Sequence, residues 1–342
     1  MVLDSIASAF PGHRLTQPEV WEIIRTSPAM QKVTRRGVRI LETVLLGDSG
    51  IETRHFAVEP PRVFGLNAQG LNEAFEAEAP KLASSAFEKA IEAAKISPQE
   101  IDALFLCTCT GYLCPGVTSH VAEIMGLRPD VFLHDVTGLG CGAAIPTMHA
   151  AHCFLAAHPE AIVATVAVEV SSAAFFLCDD PGVAVSACLF GDGASAAIWR
   201  SSGPANAWRT DHFQSLHIPA EREKIRFVND GGQLRNKLDK SVPGVAAEAV
   251  RFLHDKTAKE YDQILAHSGG RDVIEALEAA LPGYHLEETR HVMKSYGNMS
   301  SPSVMVALEK RLQNGHSTDK NLWLTAFGAG FAAYSCDLFR EN

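Results

Sequence analysis

FGDGASAAIWR, Phe190 to Arg200, is a glycine turn running into an apolar strand, and the chain echoes it near its end as FGAGFAAYSCDLF, Phe327 to Phe339. Working outward, strand patterns at Ala103 to Cys107 and Ile162 to Val168 precede the first copy. They alternate with helical patterns at Ala79 to Ala94, Thr118 to Met125 and Gly142 to His158. The second copy follows a helix (Val245 to Lys259), a strand (Gln263 to Ala266) and two helices (Val273 to Leu281 and Ser303 to Gln313). Such alternation predicts an α/β fold of parallel strands with helices on both faces. No linker or composition shift divides the chain. The two halves, 1–204 and 205–342, are expected to meet near Ser201 to Ala207.

The 342 residues, 46% hydrophobic and 20% charged, suffice for one large or two fused α/β domains. The opening stretch MVLDSIASAFPGHRL has Asp4 inside its apolar run and no basic leader, and Glu169 interrupts the run from Ala161 to Leu177. Neither a signal peptide nor a membrane span is expected. Eight cysteines, most in apolar surroundings, fit a reducing compartment and hence a cytoplasmic protein. Cys107, Cys109 and Cys114 cluster without a second ligand pair, so no metal is expected.

A net charge of −10 argues against nucleic acid or an anionic membrane as partner. The local exception is AMQKVTRRGVRILETVL, where Lys32, Arg35, Arg36 and Arg39 recur at helical spacing. Two readings stand: a solvated helix face, or a counter-charge for a phosphorylated ligand.

Candidate chemistry lies in three glycine-bearing turns. GLGCGAAIP delivers Cys141 to a helix amino end, where the helix pole and free N–H groups are expected to lower the thiol pKa. In YDQILAHSGG, His267 ends a strand before a glycine turn and a helix, the usual rim position for active-site side chains in layered α/β folds. In SYGNMSSPSVMVALEKRLQNG, Asn298 precedes a helix that Ser301 is expected to cap, with Pro302 in its first turn and Gly315 as its stop.

Together these turns resemble the type III polyketide synthases, the chalcone and stilbene synthase family of the thiolase-like superfamily. The matching segments are GLGCGAAIP, CLFGDGASAAI from Cys188, HSGG from His267, YGNMSS from Tyr296 and AFGAGFA from Ala326. Milder likeness extends from Ile6 to Leu338. The resemblance implies a duplicated five-layer αβαβα architecture and decarboxylative condensation of an acyl-CoA starter with malonyl-CoA to a polyketide of alkylpyrone, alkylresorcinol or chalcone/stilbene type. Carried over, Cys141 is the acylated nucleophile, His267 its imidazole partner, and His267 with Asn298 the stabilisers of the enolate. No cofactor is implied, since the CoA thioesters are substrates.

The resemblance further implies a homodimer in which TGYLCPG, ending at Gly116, reaches toward the neighbouring site. It makes Phe190 an aromatic gate, with Ser171, Ala174 and Ser300 against substrate and the Lys32 to Arg39 stripe on CoA. GDGA is read as architecture, Asp192 satisfying backbone donors. Asn236 falls where plant members often carry a second aromatic gate, AFGAGF lacks the family's proline, and Ser171 and Ala174 are smaller than the threonines common in chalcone-forming members. The lost volume is expected to leave room for an elongated starter. Two alternatives remain: an initiating β-ketoacyl-ACP synthase, and a non-catalytic thiolase-like scaffold.

Overall fold

The computed structural model describes residues 1–316 and 318–340. The first half builds five adjacent strands, in the order Phe132–Val136, Ala103–Cys107, Val163–Glu169, Gly193–Arg200 and Val2–Ala9. The second builds Arg209–His217, Ala332–Phe339, Asn321–Gly328 and Gln263–Ala266. The half-sheets join edge to edge where Val2 stands opposite Arg209.

Five layers follow from which faces are apolar. The helices Ala144–Ala157 and Ser303–Gln313 share one core with residues of both half-sheets, including Phe105, Trp199, Leu324 and Cys336. The segment AIPTMHAAHCFLAA can lie there because much of its circumference is apolar or small. The long helix Ala68–Ala94 packs on the outer face of the first half-sheet, and Val242–Asp255 with Arg271–Ala280 on that of the second. The architecture is the thiolase-like αβαβα of the sequence reading.

Strand direction differs from the expectation. Ala103–Cys107 pairs in parallel with both neighbours and Gln263–Ala266 with Asn321–Gly328, but the remaining pairings are antiparallel. Helical alternation reports crossovers, and strands such as Val2–Ala9 and Arg209–His217 are not entered through one. FGAGF is the turn of an antiparallel hairpin and leads, as expected, into the strand Ala332–Phe339. The helix expected at Ala79 begins at Ala68, with Asn67 accepting from Gly70 N–H as its cap and Pro80 within it.

Candidate active site

Cys141 sits in a short 3₁₀ turn, Gly140–Gly142, that runs through Ala143 into the helix from Ala144. The hairpin turn of the second half presses directly against it. A Cβ on Gly328 would lie 2.6 Å from the Leu139 carbonyl oxygen and 2.7 and 2.9 Å from the nitrogens of Gly142 and Cys141. Gly142 meets the Tyr334 ring at 2.8 Å in the same way, and Gly140, at φ +61°, has Ala329 N at 2.9 Å. The glycines around the cysteine and in the terminal hairpin therefore serve one close approach.

His267 follows its strand as expected, and its N–H continues the pairing by donating to the Thr325 carbonyl at 2.9 Å. Neither ring nitrogen makes a well-formed hydrogen bond in the protein, the Ser300 backbone acting on the ring only weakly, and the residue is 1% exposed. A buried imidazole without such a bond, aimed into a cavity, is available for a ligand. Asn298 is held on every side. Its N–H donates to the Leu189 carbonyl at 2.9 Å, its carbonyl accepts from Gly191 at 3.0 Å, and its Oδ1 accepts from Ser300 N–H at 2.8 Å. Nδ2 donates one hydrogen to the Gly269 carbonyl at 2.9 Å, which orients the amide and leaves the second hydrogen for another acceptor.

The cap expected of Ser301 is absent. Pro302 opens the helix Ser303–Gln313 without a side-chain cap, and Ser301 instead donates to Glu169 at 2.6 Å. Glu169, fully buried, also accepts from the N–H groups of Cys109 and Thr110 at 2.9 and 3.1 Å and from the hydroxyls of Thr108 and Thr110 at 3.2 and 2.9 Å. Burial still pushes its pKa up, against the pull of these donors. Nothing in the sequence singled this carboxylate out beyond its place in an apolar run.

Burial works against the expected thiolate. Burial pushes the Cys141 thiol up to about 12; the Ser300 hydroxyl pulls it down and the Glu169 charge pushes it further up. Burial likewise pushes His267 down to about 4, with a smaller opposing pull from the Ser300 backbone. Desolvation thus opposes the helix pole and favours thiol and neutral imidazole over their charged forms. Ser300 is 1% exposed, holds φ +59°, and places its Oγ 3.2 Å from the Cys109 sulfur. It is not on the cavity wall, and its contacts are with the Cys109 and Cys141 thiols and with Asn298.

One cavity of about 670 Å³ has Cys141, His267, Asn298 and Phe190 on its wall. The structure therefore brings together the three chemical groups and the aromatic. Phe190 closes the helix Pro181–Leu189 and forms a bridge with Asn298. Arg54, fully buried, donates to the carbonyls of Phe190 and Ala187 at 2.6 and 2.9 Å. Asp192 accepts from Ala57 and Ser172 N–H at 2.7 and 2.9 Å and from the Ser172 hydroxyl, the architectural role read for GDGA.

Ser171 and Ala174 lie on the far side of Phe190, in a second pocket of only about 20 Å³. The room beside their small side chains is slight, and Phe176, Phe227 and Leu234 share its wall. Lys32 ends a short 3₁₀ turn, Thr34 caps the helix Arg35–Leu46, and Arg35, Arg36 and Arg39 occupy its first turns. All four cations are exposed and off the cavity wall. Thr43, one turn beyond Arg39 on the same face, is on it.

Residues 10–218 match the FAE1/type III polyketide synthase-like protein family, and residues 254–338 match the carboxyl-terminal part of 3-oxoacyl-[acyl-carrier-protein] synthase III. The chain is 28% identical to the 1,3,6,8-tetrahydroxynaphthalene synthase of Streptomyces griseus, over 96% of this chain and 89% of that one. It is 24% identical to the phloroglucinol synthase of Pseudomonas fluorescens, over 95% of each. The crystal structure of PKS-I from the brown alga Ectocarpus siliculosus superposes with a TM-score of 0.89 at 25% identity, covering 99% of this chain and 98% of that one.

Proposed function

The chain belongs to the type III polyketide synthase family and is an acyltransferase that condenses acyl-CoA with malonyl-CoA to polyketides; on that premise we propose that Cys141, His267 and Asn298 carry the reaction. The observation that supports this most directly is their meeting, from both halves of the chain, on one cavity wall. Neutral His267 accepts the thiol proton as the Cys141 sulfur attacks the thioester carbonyl. The carbonyl collapses to acyl-Cys141, and the departing CoA sulfur takes that proton back from the imidazolium. The neutral imidazole, now an N–H donor, joins the free Asn298 N–H in holding the thioester oxygen of malonyl-CoA. As carbon dioxide leaves, its bonding electrons form the enolate, whose carbon attacks the carbonyl of acyl-Cys141; the C–S bond breaks, β-ketoacyl-CoA forms, and the Cys141 sulfur leaves as thiolate and takes a proton from solvent. Donors fixed in advance contribute a few kcal/mol each to such a step.

CoA is proposed to lie along the helix Arg35–Leu46. Cations in its first turns reinforce the positive pole, an arrangement unfavourable in isolation and favourable to a phosphate. Arg36 and Arg39 lead along the helix toward Thr43 at the cavity. A cytoplasmic homodimer completes the proposal. Tyr112, 77% exposed, and the exposed Cys114 stand in the loop expected at the subunit contact, and no helix among the described residues is long and apolar enough to cross a membrane.

The test is incubation with malonyl-CoA and a panel of acyl-CoAs, read by mass spectrometry of products and of the Cys141 peptide. Acylation elsewhere, or full turnover by Cys141→Ala, would remove Cys141 from the mechanism. The match of residues 254–338 keeps the carrier-protein reading as an outcome: activity only with acyl carrier protein would favour it.

A further inference from the structure

The helix Pro181–Leu189 carries Phe190 at its carboxyl end, and a helix end leaves its last carbonyls without partners inside the helix. Here each is met from elsewhere in the fold. Arg54 Nη1 donates to the carbonyls of Ala187 and Phe190 at 2.9 and 2.6 Å, and Gln17 Nε2 donates to that of Cys188 at 2.9 Å. The Leu189 carbonyl, next in line, is the one that takes the Asn298 N–H. Arg54 Nε donates in turn to Gln17 Oε1 at 2.9 Å, so the two side chains form one clasp. Burial lowers the Arg54 pKa to about 10, which still leaves a cation at neutral pH, set on the negative pole of the helix.

The same residue touches the Asn298 loop. Gly297, at φ +71°, lies so near the Arg54 stem that a Cβ there would be 2.8 Å from its Cγ and 2.9 Å from its Cδ, and 2.7 Å from the Leu189 carbonyl oxygen. The short strand Thr53–Phe56 that supplies Arg54 is fastened on both sides. The Thr53 hydroxyl donates to the Ser295 carbonyl at 2.7 Å, and the His55 carbonyl accepts from Asp192 N–H at 2.9 Å. Arg54 and Gln17 are both buried and off the cavity wall. The guanidinium therefore sits between the helix end that carries Phe190 and the loop that carries Asn298, without itself reaching the cavity.

We propose that Arg54, steadied by Gln17, is a positioning residue for decarboxylation: by fixing the carboxyl end of the helix Pro181–Leu189 it sets the place of Asn298, whose amide holds the enolate oxygen. The proposal rests on the reading of Asn298 as that donor. Asn298 is aligned through its backbone by the Leu189 carbonyl and the Gly191 N–H, and both belong to the segment whose carbonyls Arg54 holds. A group displaced by about 1 Å can lose about 100-fold in rate. A loss confined to a transition-state donor lowers turnover without raising the Michaelis constant.

The experiment measures malonyl-CoA decarboxylation and Cys141 acylation side by side in the full chain, in Arg54→Met, in Asn298→Ala and in the variant carrying both. In Arg54→Met the turnover number for decarboxylation is expected to fall by about tenfold or more, with its Michaelis constant and the rate of Cys141 acylation within about threefold of wild type. Added to Asn298→Ala, the Arg54 substitution should cost at most about twofold more, because the two act on one donor. Leu253→Ala, in the outer core of the second half, measures general softening and should leave the ratio of the two rates as in wild type. Should Arg54→Met fail to fold, Gln17→Met is the second measure, with the same split at about threefold or more. Equal loss of both rates, undiminished decarboxylation in a folded variant, the same split in Leu253→Ala, or losses from Arg54 and Asn298 that multiply would each overturn the proposal while leaving the role of Asn298 intact. Decarboxylation at the wild-type rate in Asn298→Ala would overturn the reading of Asn298 and the proposal with it.

Discussion

Burial that favours a neutral Cys141 and a neutral His267 on one cavity wall couples proton transfer to attack, and His267 and Asn298 should separate when removed one at a time. Asn298→Ala is expected to lower malonyl-CoA decarboxylation by about 100- to 1,000-fold while acylation of Cys141 continues, since an amide takes no proton from sulfur. His267→Ala should depress both. Decarboxylation at the wild-type rate in Asn298→Ala would contradict the assignment. The same burial fixes a pH signature. The folded pKa of His267, about 4, lies below the 6.5 of a free imidazole, so between these values the unfolded chain binds the proton and the native chain does not. Its contribution to stability is full above pH 6.5 and is lost as pH falls toward 4. Asp192 acts in reverse. Burial raises it from 3.8 to about 6, so the native chain holds the extra proton and stability falls as pH rises through that window. Calorimetry from pH 4 to 7 should find that His267→Gln removes a rising slope and Asp192→Asn a falling one. Slopes that match the wild type in both variants would show that neither group titrates as buried.

At the scale of elements, two contacts lend themselves to measurement. Gly328→Ala puts a methyl group within 3 Å of the Cys141 turn, and overpacking of that kind costs about 1–3 kcal/mol. The expected result is a lower melting temperature together with slower acylation of Cys141, although the substitution lies in the other half of the chain. Unchanged acylation would place the turn beyond the hairpin's influence. In the helix Arg35–Leu46, Arg36→Glu and Arg39→Glu should raise the Michaelis constants for acyl-CoA and malonyl-CoA together, with little change in turnover, because such contacts hold the carrier rather than the reacting carbon. A thioester lacking the nucleotide should be insensitive, and the effect should shrink as salt rises. Constants that do not move across a salt series would make the stripe a solvated face. How far such features were legible depended on how local they are. Cys141, His267 and Asn298 could be read because each stands in its own glycine turn. Glu169 could not, since its five donors arrive from the 108–110 turn and from Ser301, far apart in the chain. The small size of the pocket beside Ser171 and Ala174 was hidden for the same reason: its wall comes partly from Phe227 and Leu234, and no local pattern announces that contact.

On the scale of the whole molecule, the layered α/β class followed from the alternation of helices and strands, whereas the direction of the joining strands depends on how the two halves abut. Light scattering at micromolar concentration should return twice the 36.9 kDa chain mass, and a monomer mass would contradict the proposed assembly. The halves approach closely where the Phe327 to Ala329 turn meets Gly140 to Gly142, and this approach has a consequence for inheritance. The chemistry is divided between two segments that descend together but mutate independently: one supplies the sulfur, the other the imidazole and the amide. A side chain gained on either bank of the junction can be tolerated only if the opposite bank yields space, so Gly140, Gly142 and Gly328 amount to one requirement written three times. Drift in this protein is therefore expected to be paired, with second-site suppressors of Gly328 substitutions arising around Leu139 to Gly142 rather than beside Gly328 itself.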